Sequence, residues 1–151
     1  MPVCRDLRGP LDGDSAEHVD LVRASFLGQT VRFHRRAAPA LERVSKRLAT
    51  ALSADPALAP FFEAMGGTFL WRKIQGTSRL SPHSYGIAID LSVARSFYWE
   101  WAHPKVPIRW QNATPQVIVD AFEAEGFIWA GRWHHYDTMH FEYRPELLQG
   151  R

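Results

Sequence analysis

Two short stretches of the sequence alternate between apolar and other side chains, and each carries residue types that bind metals. In residues 87–91 the apolar side chains leave Asp90 on the opposite face, and in residues 139–143 they leave His140 and Glu142 there. Successive side chains of a β-strand point to opposite faces of a sheet. Both stretches are therefore predicted strands with one face against a core and a ligand-type side chain on the other.

Helices and one further strand are also predicted. Apolar residues recur at helical spacing over residues 38–52, and a second helix is expected from Thr114 as N-cap and Pro115 as first helical residue to Gly126. Residues 127–130 form the third predicted strand. These elements predict an α+β fold.

The chain length of 151 residues fits a single domain. Residues 1 to about 30 are rich in glycine, aspartate and proline and are predicted to be an N-terminal arm over the core. Residues 92–113 contain several tryptophans and prolines and are predicted to be a long loop, which either covers the core or lines a binding groove.

Composition limits the possible partners. The formal net charge is +2, with 18 basic residues spread among 16 acidic ones, so a nucleic-acid partner is not expected. Cys4 is the single cysteine, which excludes an intramolecular disulfide and a thiolate metal site. The sequence has no apolar stretch long enough for a membrane span. The compartment stays open: the cell envelope is expected if a signal peptide was trimmed, and the cytoplasm otherwise.

The polar residues of the two strands suggest chemistry. A carboxylate between two isoleucines needs a partner, such as a metal or an arginine. With His83 and His140, Asp90 completes a set of two imidazoles and one carboxylate, which is typical of catalytic zinc with one position open for water. Such water loses a proton near pH ~7, and Asp137 is placed to accept it. Either Arg72 or Arg79 would stabilise the oxyanion.

The same residues resemble a known family. The pattern consists of Ser81, His83, Gly86, Ala88 and Asp90, followed far downstream by Asp137 and then His140. It resembles the M15 peptidases, which are zinc D-Ala-D-Ala carboxypeptidases and L-alanyl-D-glutamate endopeptidases. The resemblance covers the chain from about residue 31 to residue 147, which is the expected catalytic core. It implies a small antiparallel sheet with helices packed on one side and a single zinc in a cleft across the sheet.

The resemblance implies a role for each matching residue. One zinc ion per chain would be held by His83, Asp90 and His140, with Asp137 as general base. Arg72 follows an aromatic residue, as the family arginine often does, and is favoured over Arg79 as the contact to the substrate carbonyl. Ser81 is expected near the substrate, and Trp133 is expected to form a wall of the cleft.

The expected activity is hydrolysis of peptide bonds next to D-amino acids in peptidoglycan stem peptides or their precursors. A D-Ala-D-Ala carboxypeptidase is the first expectation and an L-alanyl-D-glutamate endopeptidase the second. A zinc-containing module that binds wall peptides without turnover is the alternative from another class. Glu142 is either a hydrogen-bond acceptor for a ligand imidazole or a surface glutamate. His134 and His135 are expected to face solvent or substrate rather than a metal.

Overall fold

The computed structural model describes residues 19–101 and 107–149. This part of the chain contains, in order, β1 (Leu21–Phe26), β2 (Gln29–His34), α1 (Ala38–Ala54), β3 (Met65–Gly67), β4 (Ala88–Ser92), α2 (Gln116–Glu123), β5 (Phe127–Trp129) and β6 (His140–Tyr143). Short 3-10 turns, including Pro82–Tyr85 just before β4, join several of these elements. The protein is α+β, as the sequence pattern predicts.

The strands form two antiparallel sheets rather than the single predicted one. Strands β1 and β2 pair with each other, and the other strands form a four-stranded sheet in the order β3-β4-β6-β5. The three predicted strands correspond to β4, β5 and β6, with ends that differ by one residue. Strand β3 was not predicted because three residues, two of them glycines, give no alternation to detect.

The β1-β2 hairpin corrects the predicted N-terminal arm. Residues 21–30 were assigned to the arm, but they pair as strands around a two-residue turn at Leu27 and Gly28, with φ of 47° and 80°. Turns of this kind usually carry Asn-Gly or Asp-Gly, so Leu-Gly gave no hairpin signal. Residues 1–18, the rest of the predicted arm, lie outside the described residues.

The two helices form close to their predicted positions. Helix α1 begins at Ala38 and buries Leu41, Val44 and Leu48, as the apolar spacing predicts. Helix α2 begins at Gln116, two residues after the predicted N-cap Thr114. The Thr114 hydroxyl does not cap the helix, because it donates a 3.3 Å hydrogen bond to the Thr138 carbonyl instead.

One apolar core joins the helices to the two sheets. Its buried members include Phe26 and Phe33 of the hairpin, Leu41, Val44 and Leu48 of α1, Ile118 and Phe122 of α2, and Ile89, Phe127 and Phe141 of the larger sheet. Because side chains alternate along a strand, the neighbours of Ile89 and Phe141 point to the sheet face that the helices leave open. No helix within the described residues has both the length and the apolarity that crossing a membrane requires.

Candidate metal centre

Strands β4 and β6 bring the two predicted ligand residues directly opposite each other. Asp90 pairs with His140 and Ala88 pairs with Glu142 across the antiparallel ladder. Both pairs lie on the open face of the sheet, since Ile89 and Phe141, between them, are fully buried in the core. His140 Nδ1 lies 2.8 Å from Asp90 Oδ1. Strand register therefore places one imidazole against one carboxylate.

The 3-10 turn Pro82–Tyr85 supplies His83. Ser81 caps this turn, and its Oγ accepts a 3.3 Å hydrogen bond from the His83 amide. The turn ends at Gly86 with φ of 67°, where a side chain would be strained and its Cβ would lie only 3.0 Å from the His34 amide nitrogen. A glycine at this position therefore lets the turn dock on β2 and fixes where His83 enters the site.

The hydrogen bonds of His83 test whether these residues suit a metal. Nδ1 lies 2.5 Å from the Thr68 carbonyl, which can only accept, so Nδ1 donates to it and Nε2 is the ring nitrogen available to a metal. Nε2 is buried 3.1 Å from Asp90 Oδ2 but makes no hydrogen bond to any described residue. A buried imidazole nitrogen and a carboxylate oxygen that face each other without a hydrogen bond fit a shared cation. The donor set therefore fits a metal ion.

His140 lies between two carboxylates. Its Nδ1 faces Asp90, and its Nε2 lies 2.9 Å from Glu142 Oε1. Burial would lower the pKa of His140, but the hydrogen bonds and charges of Asp90 and Glu142 outweigh it and raise the pKa to about 10. Glu142 is only 4% exposed, so it is a buried hydrogen-bond acceptor for the His140 imidazole and not a surface glutamate.

The three predicted ligands form one compact cluster. His83, Asp90 and His140 each offer one possible ligand atom, and these three atoms all lie within 4.8 Å of one another. Burial would raise the pKa of Asp90, but the two imidazoles hold it well below its usual range, so this carboxylate is charged. Two imidazoles and a carboxylate form the kind of three-residue set that binds catalytic zinc and leaves a fourth position open.

Asp137 precedes β6 and lines the same cleft as Asp90 and His140. Its Oδ1 accepts a 3.3 Å hydrogen bond from the Met139 amide, which orients the carboxyl group at the start of the strand. The pKa of Asp137 is raised to about 6, mainly because the carboxyl group is buried. The charge of His140 lowers this pKa, and the charge of Asp90 raises it further. Asp137 is thus a second carboxyl group beside the cluster and outside the ligand set.

A cleft of about 520 Å³ opens over the cluster, and both candidate arginines line it. Residues 72–81, here called the arginine hairpin, fold back on themselves through a bridge between Lys73 and Leu80. Cross-strand partners share a face, so Arg72, Arg79 and Ser81 lie on the cleft side of the arginine hairpin. Neither arginine has an ion-pair partner in residues 19–101 and 107–149.

Aromatic side chains also line the cleft. Trp99 and His135 line the cleft and stack with ring centroids 4.0 Å apart. Tyr98 pairs with Asp137 through an isolated antiparallel bridge, which places the two side chains on one face. Trp133 is 41% exposed, and its ring centroid lies 6.1 Å from that of His140. Trp133 borders a neighbouring cleft and not the one over the cluster.

Two residues that the sequence did not indicate position parts of the site: Ser84 holds the arginine hairpin, and Thr68 orients His83. Ser84 is fully buried, and its Oγ accepts a 2.8 Å hydrogen bond from the Arg72 amide and lies 2.8 Å from the Arg72 carbonyl. Thr68 contributes only its backbone carbonyl to His83. A backbone carbonyl and a buried serine leave no periodic pattern, so the sequence contains no signal for either contact.

The fold and the cluster define an α+β protein with a candidate mononuclear metal centre on the open face of its sheet. Residues 75–143 match the family model described as D-alanyl-D-alanine carboxypeptidase. This match supports membership of the M15 peptidase family, as the resemblance implies, and supports a hydrolase. It includes the three ligand candidates, Asp137 and Arg79, whereas Arg72 precedes it. No curated protein matches the chain.

Proposed function

We propose that the protein is a zinc-dependent peptidase that hydrolyses peptide bonds next to D-amino acids in peptidoglycan stem peptides or their precursors. The observation that carries the proposal is the buried cluster of His83, Asp90 and His140, whose possible ligand atoms lie within 4.8 Å of one another. The ligands would be His83 through Nε2, Asp90 through its carboxylate, and His140 through Nδ1. Bound zinc would acidify a water molecule and polarise the scissile carbonyl.

The residues around the cluster have separate tasks in this proposal. Glu142 accepts the Nε2 proton of His140, which leaves Nδ1 free for the metal and fixes the ring orientation. Asp137 takes the proton of the attacking water and passes it to the nitrogen of the leaving amine. Of the two arginines of the cleft, Arg72 is proposed to stabilise the negative charge that develops on the carbonyl oxygen.

A D-Ala-D-Ala carboxypeptidase is the specific activity that we favour. Arg72 and Arg79 line the cleft without ion-pair partners among the described residues, and guanidinium groups bind carboxylates through paired hydrogen bonds. The second arginine therefore suits the terminal carboxylate of a substrate. The match to the D-alanyl-D-alanine carboxypeptidase family model supports this choice. An L-alanyl-D-glutamate endopeptidase is the second candidate, since a cleft continues past Arg79.

The test is zinc-dependent release of D-alanine from an N-acylated peptide ending in D-Ala-D-Ala, measured beside cleavage of a peptide with an internal L-Ala-D-Glu bond. Asp137→Asn should bind the same amount of zinc and lose on the order of 100-fold or more in rate. Asp120→Asn, an acid-to-amide change on the exposed side of α2, is the matched control and should keep full activity. Full activity of Asp137→Asn would overturn the assignment of the base.

A zinc-containing module that binds peptides without turnover remains the competing proposal. It predicts that the zinc-loaded protein binds the D-Ala-D-Ala peptide with the same affinity whether residue 137 is Asp or Asn, and releases no product from either peptide or from whole peptidoglycan. Hydrolysis of any of these substrates by wild type, with loss in Asp137→Asn, would reject it.

A further inference from the structure

A second cleft, here called the outer cleft, lies beside the one over the metal centre. It has a volume of about 490 Å³ and shares Ile74, Arg79 and Pro82 with the central cleft. Small-molecule sites in proteins occupy roughly 300–1,000 Å³, so each cleft alone is large enough to hold part of a ligand. The shared residues make the two clefts one continuous depression.

Strand register gives the spacing between the two clefts. Ala88 pairs with Glu142, and Glu142 also pairs with Ile128, so these residues form the row next to Asp90 and His140 on the same sheet face. Residues two apart on a strand are separated by about 7 Å, because each residue advances roughly 3.3 Å. Two residues of an extended peptide span the same distance. A peptide lying along the strands would therefore reach the outer cleft two residues from the metal centre.

The walls of the outer cleft are largely apolar. They include Leu80, Tyr85 and Ile128, together with Trp133 and Leu147, which are 41% and 52% exposed. Exposed large apolar side chains gathered beside a candidate site are typical of ligand-binding surfaces. The surface thus suits aliphatic side chains better than strongly hydrated ones.

The charged groups of the outer cleft disfavour a cationic ligand. Glu142 is engaged by His140 and by Arg144, whose Nε lies 3.3 Å from Glu142 Oε2. Arg79 adds a positive charge at the boundary with the central cleft and has no ion-pair partner among the described residues. A lysine side chain placed here would face the guanidinium groups of Arg79 and Arg144. The nearby carboxylate of Glu142 is already paired.

We propose that the outer cleft is a specificity subsite for an aliphatic, neutral or acidic peptide segment that begins two residues from the scissile bond. This inference rests on the proposed function. In a carboxypeptidase only one residue follows the scissile bond, so the segment in the outer cleft lies on its amino side. The protein then discriminates substrates by the residues that precede D-Ala-D-Ala, and the bare dipeptide is a poor substrate.

The experiment compares kcat/KM of the zinc-loaded protein for three probes: acetyl-D-Ala-D-Ala, acetyl-Leu-Leu-D-Ala-D-Ala and acetyl-Lys-Lys-D-Ala-D-Ala. Wild type should prefer the leucine peptide over the other two by on the order of 10-fold or more, since buried aliphatic groups are typically worth about that much. Leu147→Ser should remove most of this preference. Val117→Ser replaces a similarly exposed apolar residue on α2, 45% exposed and outside both clefts, and should retain it.

Calorimetric binding of the same peptides to zinc-loaded Asp137→Asn separates the subsite from the catalytic proposal. Tighter binding of the leucine peptide, reduced by Leu147→Ser, supports the subsite even if wild type cleaves no probe, an outcome that would reject only the carboxypeptidase. Equal kcat/KM and equal affinity for all three probes, or a Leu147→Ser variant with an unchanged preference, would overturn the subsite while leaving any observed hydrolysis in place.

Discussion

Asp90 and His140 face each other across β4 and β6, with 2.8 Å between Oδ1 of the carboxylate and Nδ1 of the imidazole. The other carboxylate oxygen, Oδ2, lies 3.1 Å from Nε2 of His83. One carboxylate thus touches both imidazoles, and each imidazole has a hydrogen-bond acceptor on its far side, Thr68 for His83 and Glu142 for His140. Acceptors behind the imidazoles in this way are characteristic of metal sites in proteins.

The metal centre itself can be tested by elemental analysis. Wild type should bind one zinc per chain, and His83→Ala and His140→Ala should each lose it, because either change leaves only two protein ligands. His134→Ala, a change at a histidine outside the ligand cluster, is the control and should keep the metal. A well-folded wild type that takes up no zinc when zinc is added would contradict the site and the proposed hydrolase together.

Glu142 should tune metal affinity without being a ligand. Glu142→Gln keeps an oxygen that can accept from His140 Nε2 but removes the charge, so zinc affinity should fall roughly 10–100-fold in competition with a chelator. Glu146→Gln is the matched control, because Glu146 pairs with the same Arg144, at 3.6 Å, whereas the acid that faces His140 Nε2 is Glu142. An equal loss of affinity in both variants would show a structural effect of Arg144 instead.

The two arginines can be separated with substrates that differ only at the C-terminus. Removing an arginine that binds the terminal carboxylate should cost about 10–100-fold in kcat/KM for the free acid and little for the C-terminal amide, since hydrogen bonds to charged groups contribute about 1.5–3 kcal/mol. We expect this pattern for Arg79→Ala and a loss on both substrates for Arg72→Ala. Lys73→Ala, on the opposite face of the arginine hairpin, should affect neither substrate.

Glu125 should contribute to stability through a pH-dependent ion pair. It follows α2 and lies 2.6 Å from Arg43 Nε and 2.7 Å from Arg47 Nε of α1. Burial would raise the pKa of Glu125, but the hydrogen bonds and charges of the two arginines hold it below its usual value. The stabilisation is therefore complete above the pKa of the unfolded chain and is lost as the pH falls through the folded-state pKa.

Urea unfolding of Glu125→Gln measures this contribution. The variant should lose roughly 0.5–1 kcal/mol near neutral pH, since both arginines are about half exposed and solvent weakens such pairs. The difference from wild type should shrink at the most acidic pH at which both proteins stay folded. A destabilisation independent of pH would show that packing of the side chain, rather than its charge, carries the effect.

The sequence predicted the parts of the site that strand periodicity controls. Alternation placed Asp90, His140 and Glu142 on one face, and the helical spacing located α1 and most of α2, so the layer that supports the site was predictable. The β1-β2 hairpin was missed because its turn residues, Leu27 and Gly28, are not those that usually form such turns. Residue patterns within a short stretch were enough to predict elements, such as these strands and helices, whose backbone geometry depends on that stretch alone.

Contacts between distant segments were not predictable in this way. The sequence offered Arg72 and Arg79 as alternatives, but the bridge between Lys73 and Leu80 places both on the cleft side. The pairing of Tyr98 with Asp137 joins two loops that are far apart in sequence, and no residue pattern indicates it. Such contacts follow from tertiary packing, which a single sequence does not display.

The ladder between β4 and β6 has a consequence for the order of events during folding. His140 and Asp90 are separated by 50 residues, so the unfolded chain holds no preformed set of donors. The ion would bind only after the sheet has closed, and its binding energy would then add to the free energy of unfolding. A cell with little available zinc would therefore hold a less stable protein as well as an inactive one, and proteases that act on unfolded chains would set how long it lasts.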